Sequence, residues 1–97
     1  MQVGVCKLQL RLPENESLKG KRHVVKSLVD RVRNRFNVSI AEVEDQDQWR
    51  LITLGVGCVS NDGQYINEVL SKVVDYVADT RGDAEVLDYE IEILPSL

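Results

Sequence analysis

The sequence predicts an α+β sandwich: two helices laid on one face of a four-stranded antiparallel sheet. Four segments carry apolar residues at two-residue spacing, and two longer segments carry them at helical spacing. Their order, strand-helix-strand followed by strand-helix-strand, is the split βαβ plan. The chain of 97 residues reads as one domain spanning 1–97, because two separate cores would each be too small to stabilise themselves.

Val3, Val5, Leu8, Leu10 and Leu12 mark the first strand. Their parity shifts between Val5 and Leu8, which predicts a bulge near Cys6-Lys7. Pro13 ends the strand because it has no N–H to donate to a ladder. Ser17 is a suitable N-cap, and Leu18, Val25, Leu28, Val29, Val32 and Phe36 give the first helix its apolar stripe, from about Leu18 to Phe36. Val38 to Val43 is a short, nearly all-apolar second strand, followed by the acidic loop Glu44-Asp45-Gln46-Asp47-Gln48. Trp49 to Val59 reads as the third strand, with Ile52, Leu54, Val56 and Cys58 on one face.

Ser60-Asn61-Asp62-Gly63 is a turn that also supplies helix caps. Ile66, Val69, Leu70, Val73 and Val77 stripe the second helix, and Gly82 reads as its left-handed C-terminal cap. The last strand runs from about Glu85 to Leu94, with Leu87, Tyr89, Ile91 and Ile93 as its apolar set, and Pro95 stops it.

Right-handed crossovers put both helices on the same side of the sheet, with the first and third strands central, which is the ferredoxin-like arrangement. The other face is then uncovered. Thr53, Gly55 and Gly57 are expected there, joined by Gly4 from the neighbouring strand and bordered by Trp49 and Leu51. Such a flat, small-residue patch suits a second subunit, so a homodimer through Trp49, Leu51, Thr53, Gly55 and Gly57 is one expectation. A β-bulge at Gly55 or Gly57 accounts for the glycines equally well. The central strands carry no aromatic residue except Trp49 at one end, which argues against base stacking on the sheet.

Several chemistries are excluded by what the chain lacks. It has no phosphate loop, no dinucleotide-binding glycine fingerprint and no nucleophile elbow. His23 is the single histidine and lies off the apolar stripe, so it is expected to face solvent. The loop Leu12-Pro13-Glu14-Asn15-Glu16 is acidic and would repel an acyl phosphate, the substrate of one enzyme class on this fold. Glu42, Glu44, Asp45 and Asp47 read as solvated carboxylates, without the pocket that a general acid requires. Cys6 and Cys58 lie far apart in apolar contexts with no CxxC spacing, and read as buried thiols without metal or redox work. No stretch is long and apolar enough to span a membrane, and the first residues lack the pattern of a signal peptide. The expectation is a cytoplasmic, non-enzymatic protein without cofactor, metal or membrane partner.

Charge is distributed unevenly. Residues 11–35 hold eight basic and three acidic residues, a net of +5, while the remainder holds four basic and thirteen acidic, a net of −9. Lys19, Arg22, Lys26 and Arg33 fall within a sector of about 60° on the first helix. Lys21 and Arg22 lie near its N-terminus, where backbone N–H groups already attract anions and extra cations are locally unfavourable. Lys19, Lys21, Arg22, Lys26 and Arg33 are therefore candidate contacts to phosphate or RNA. The competing reading is that they balance the acidic second helix through Glu68, Asp75 and Asp79. Both readings stand on the sequence.

Ordered blocks along the chain resemble one known family. They are Ser17-Leu18-Lys19-Gly20-Lys21-Arg22, Phe36-Asn37-Val38-Ser39-Ile40-Ala41-Glu42-Val43, Gln46-Asp47-Gln48-Trp49, Leu54-Gly55-Val56-Gly57 and Val59-Ser60-Asn61-Asp62. Together they are similar to the YlxP-like family of small bacterial proteins, a domain of unknown function. The resemblance implies a ferredoxin-like fold and, from genes that often lie beside those for translation initiation and ribosome-binding factor A, a setting in translation or ribosome maturation. It implies no catalytic residues. Gly20 stands where an acidic residue is expected in relatives. The leading expectation is a binding protein associated with ribosomes or structured RNA through its basic first helix. The alternative is a homodimeric regulatory or small-ligand-binding module using the open sheet face.

Overall fold

In the computed structural model, which describes residues 1–95, strand β1 (Gln2–Arg11) lies at the centre of the sheet. It pairs antiparallel on one side with β3 (Leu51–Ser60) and on the other with β4 (Glu85–Leu94). Strand β2 (Ser39–Glu44) completes the order β2-β3-β1-β4. Helices α1 (Leu18–Arg35) and α2 (Gly63–Thr80) cover one face, giving the ferredoxin-like βαββαβ fold.

The register of β1 against β3 is unbroken from Gln2↔Ser60 to Arg11↔Leu51, so the bulge expected at Cys6-Lys7 is absent. The parity change has a simpler cause. Gly4, Cys6, Leu8 and Leu10 point toward the helices, whereas Val3 and Val5 belong to the opposite, open face. The irregularities fall on the edge strands instead. Leu87 is the extra residue between Val86↔Leu10 and Asp88↔Gln9, and Val43 is the extra residue between Glu42↔Leu54 and Glu44↔Thr53. The β4 bulge turns Val86 toward the core beside Ile91 and Ile93, while Leu87 and Tyr89 of the expected apolar set remain half exposed.

Gly4 also departs from expectation, because it faces the helices. A Cβ there would run into Ile66 Cγ2 and Leu70 Cδ1 of α2, so the missing side chain lets helix and sheet approach closely. Leu8, Leu10, Leu28, Ile52, Leu54, Ile66 and Leu70 are fully buried between the layers. Each contributes about 1.5–3 kcal/mol relative to exposure. The predicted inward set Ile52, Leu54, Val56 and Cys58 is confirmed.

Ser17 caps α1, its Oγ accepting from the Gly20 N–H at 3.0 Å. Asp62 caps α2 by accepting from Gln64 and Tyr65 N–H. The C-terminus of α2 does not use a left-handed glycine, since Gly82 has no positive φ. There the Thr80 hydroxyl donates to Tyr76 O at 2.6 Å, and Arg81 forks onto Asp83 with two contacts of 2.8 Å.

Candidate functional site

The basic residues of α1 divide into one that is buried and several that are exposed. Lys21 is wholly buried, contrary to the expectation that it meets phosphate. Its Nζ lies 2.9 Å from Glu42 Oε2 and donates to the carbonyls of Asp45 and Leu51. Those carbonyls take the well-aligned hydrogen bonds, so the contact with Glu42 is chiefly electrostatic. The physical reason for the correction lies in helical spacing. Lys21 sits at i with Val24, Leu28 and Val32 at i+3, i+7 and i+11, on the buried stripe itself. Val24, rather than Val25, is the residue most deeply packed at that level. Glu42 answers from β2, two residues beyond the buried Ile40 and on the same side of the strand. Two opposite charges, each at a core position, were the signal in the sequence.

Lys19, Arg22, Lys26 and Arg33 are all exposed and share one face along α1. That face runs about 21 Å from Lys19 to Arg33 at the helical rise of about 1.5 Å per residue. Lys26 pairs with Asp30 one turn on, at 3.0 Å. Arg33 donates to Ile40 O at 3.1 Å, and Arg35 lies over the Tyr76 ring at 4.9 Å. Among the described residues no ion pair joins α1 to α2, and Lys19 and Arg22 have no acidic partner. Glu68, Asp75 and Asp79 therefore do not neutralise the stripe by direct contact. His23 is exposed, as expected.

The segment between β2 and β3 is not the free acidic loop that its composition suggests. Asp45 adopts φ 60°, a left-handed conformation that aspartate tolerates. Its carbonyl accepts from Lys21 Nζ and from the Gln48 N–H, and its Oδ2 accepts from the Thr53 hydroxyl at 2.6 Å. From the β1–α1 loop, Asn15 Nδ2 donates both to Ser17 O, at the α1 cap, and to Trp49 O. Arg50 Nε donates to Asn15 O at 3.0 Å, and Leu12 N–H to Arg50 O at 2.8 Å. A Cβ on Gly20 would strike Asn15 Oδ1, so the glycine makes room for this bridge. The loop is thereby fixed against the N-terminal end of α1.

The open sheet face has two halves. Of its expected members, Thr53 is buried beneath Asp45, Leu51 is half buried, and Gly55 lies under Val43, whose Cγ1 would stand 2.8 Å from a Cβ there. Gly57 has nothing above it. Trp49 lies before β3 begins and belongs to the fixed loop, not to the sheet. The apolar half is carried instead by Val5, Val43 and Val59, exposed by 42, 47 and 62%. A shallow hollow of about 410 Å³ there is lined by Val5, Lys7, Ala41, Val43, Gly55 and Gly57. At its rim Lys7 pairs with Glu44 at 2.8 Å, a hydrogen bond that raises the Lys7 pKa. The β4 half is acidic, with Glu85, Asp88, Glu90 and Glu92 opposite Arg11, Gln9, Lys7 and Val5.

Cys6 and Cys58 are free thiols. Both are buried, and desolvation pushes the Cys6 thiol up to about 11 and Cys58 upward, so both stay protonated near neutrality. Among the described residues no cluster of three or more His, Cys, Asp or Glu side chains could hold a metal ion. Among the described residues no helix is long and apolar enough to cross a membrane.

A family of proteins of unknown function, DUF503, matches residues 3–91 of this chain. The chain belongs to that family. Among DUF503-type relatives, the uncharacterized protein YlxP of Bacillus subtilis (strain 168) is 33% identical over 75 residues, covering 77% of this chain and 82% of YlxP. The matched span of the family takes in α1, the fixed loop, β2 and β3, and ends within β4.

Proposed function

We propose that this DUF503 protein is a non-enzymatic binding protein that docks structured RNA, such as that of a ribosomal subunit, on the exposed face of α1. One observation carries the reading: Lys19, Arg22, Lys26 and Arg33 share a face, and no acid of α2 pairs with it among the described residues. The acidic β4 half and the lack of aromatic residues on the central strands direct a polyanion away from the sheet. Recognition is then through phosphates, which fix position more than sequence. On this reading the protein works in the cytoplasm, without cofactor or metal.

The test is cosedimentation of the protein with ribosomal subunits from a bacterial lysate at low and high salt. Four phosphate contacts predict a log–log salt slope of about −3, roughly a 60-fold loss of affinity between about 50 and 200 mM salt. Lys19→Glu with Arg22→Glu should abolish comigration and leave the fold intact, because both side chains are exposed and acids suit a helix N-terminal turn. Protein that stays at the top of the gradient at low salt refutes the reading.

A second reading is favoured by the apolar half of the sheet, where a homodimer would cover Val5, Val43 and Val59 and any small ligand would meet the same hollow. Gly57→Lys tests it cleanly, since a side chain there meets nothing in the monomer. Sedimentation equilibrium should give a dimer for the parent and a monomer for the variant; a parent that is monomeric at every concentration rejects this reading. Gly55→Val is unsuitable, because it collides with Val43 of its own chain.

A further inference from the structure

We propose that Trp49 is a stacking platform for one unpaired nucleobase at the end of an RNA stem whose phosphates lie along α1. The inference rests on the RNA reading of α1 and adds a second point of contact with a different chemistry. Trp49 is 53% exposed on a segment that belongs to neither strand. The chain goes to unusual lengths to hold that segment still. The buried ammonium of Lys21 binds carbonyls at both ends of it, Asp45 and Leu51. Asp45 sits in a left-handed conformation and is locked by Thr53, while Asn15 holds the carbonyl of Trp49 itself. Leu12 and Asn15 fasten Arg50 next door.

An exposed indole on a rigid loop binds a partner without the ordering cost that a mobile one incurs. Its surroundings indicate which partner. Asn15 Nδ2 bridges Trp49 O and Ser17 O, so the tryptophan backbone lies beside the α1 cap, and Lys19 and Arg22 follow within the next two turns. A planar π surface near Lys19 and Arg22 suits a nucleobase whose phosphates meet those cations, since every base has a face to stack, while Glu14, Glu16 and Asp47 disfavour a phosphate at the indole itself. Of the other exposed aromatics, Tyr65 lies in the first turn of α2, at the opposite end of the sheet, and Tyr89 lies on β4. The molecule thus presents a row of exposed cations along α1 and, held beside the start of that helix, a segment bearing one exposed indole. That arrangement fits a paired stem with an unpaired residue, where RNA bases are accessible.

Because Trp49 is the sole tryptophan, its fluorescence reports the contact directly. The full chain is titrated with an RNA hairpin bearing one unpaired nucleotide beside the stem, and with the same stem fully paired. The expected result is quenching and tighter binding with the unpaired nucleotide. Trp49→Ala should weaken that complex at least about fivefold and make the two RNAs equivalent, whereas Trp49→Phe keeps most of the preference. Circular dichroism melting verifies that each variant is folded. Salt-dependent binding lost in Lys19→Glu/Arg22→Glu but unchanged in Trp49→Ala, without quenching, overturns the platform while leaving the α1 reading intact. Absence of RNA binding by the parent protein overturns both.

Discussion

Replacing Lys21 by methionine keeps the length of the side chain and removes its charge and all its hydrogen bonds. In the folded protein the ammonium is fully buried beside Glu42 at 2.9 Å and satisfies the carbonyls of Asp45 and Leu51. The variant leaves a carboxylate whose side chain is only 17% exposed without a counter-charge, and takes the ammonium donor from the carbonyls of Asp45 and Leu51. Breaking a buried pair from one side costs about 3–5 kcal/mol. Glu42 keeps some access to water, so the expected loss is near the lower end, about 3 kcal/mol. For a chain of this size that lowers the midpoint of thermal unfolding by more than about 10 °C. Removing both charges, as Lys21→Met with Glu42→Leu, should recover part of the loss, because no unpaired charge then remains and only the ammonium's hydrogen bonds to Asp45 O and Leu51 O stay lost. Urea unfolding followed by far-ultraviolet circular dichroism measures the four corners of the double-mutant cycle. A single-variant cost below about 1 kcal/mol, or strictly additive costs, would refute the argument that Lys21 and Glu42 form one buried unit.

Three further outcomes are expected. Gly4→Ala should destabilise by about 1–3 kcal/mol, because its Cβ enters the space of Ile66; equal stability in urea would show that α2 can shift without cost. Cys6 and Cys58 should resist iodoacetamide at pH 8 in the native protein and react fully in denaturant, as burial raises both thiols; rapid native labelling by mass spectrometry would contradict this. The hydrogen bond from Arg81 holds the Asp83 carboxyl below its ordinary range, so its stabilisation is present above about pH 4 and lost as pH falls through the folded value. Both side chains meet solvent, which keeps the effect within a few tenths of a kcal/mol. Asp83→Asn should therefore flatten the acid limb of a melting curve by about 2 °C, and an unchanged limb would contradict the assignment.

The element order, the two caps and the inward face of β3 were legible in the sequence because each rests on a local pattern: apolar period, a Ser or Asp before a helix, a proline after a strand. What eluded it was set by contacts distant in sequence. Lys21 reads as a surface residue by type, and only the meeting of α1 with β2 brings Glu42 to it. Asp45 and Asn15 read as loop residues for the same reason, although they fix the tryptophan beside α1. The β4 bulge at Leu87 depends on pairing with β1 and leaves no mark in the strand's own alternation. The exposed cations Lys19, Arg22, Lys26 and Arg33 were readable from helical angle alone, because a helix places its outer face without help from the rest of the fold.

The edges of the sheet bear on how this chain meets others. β4 is ten residues long and has one side unpaired, which is ordinarily an invitation to strand addition. Asp88, Glu90 and Glu92 alternate along it, so an antiparallel match of β4 with its own copy about Glu90 sets carboxylate against carboxylate at three successive positions. The opposite edge, β2, has only six residues and is broken in rhythm by Val43. Neither border is therefore suited to pairing edge to edge with a second copy of itself.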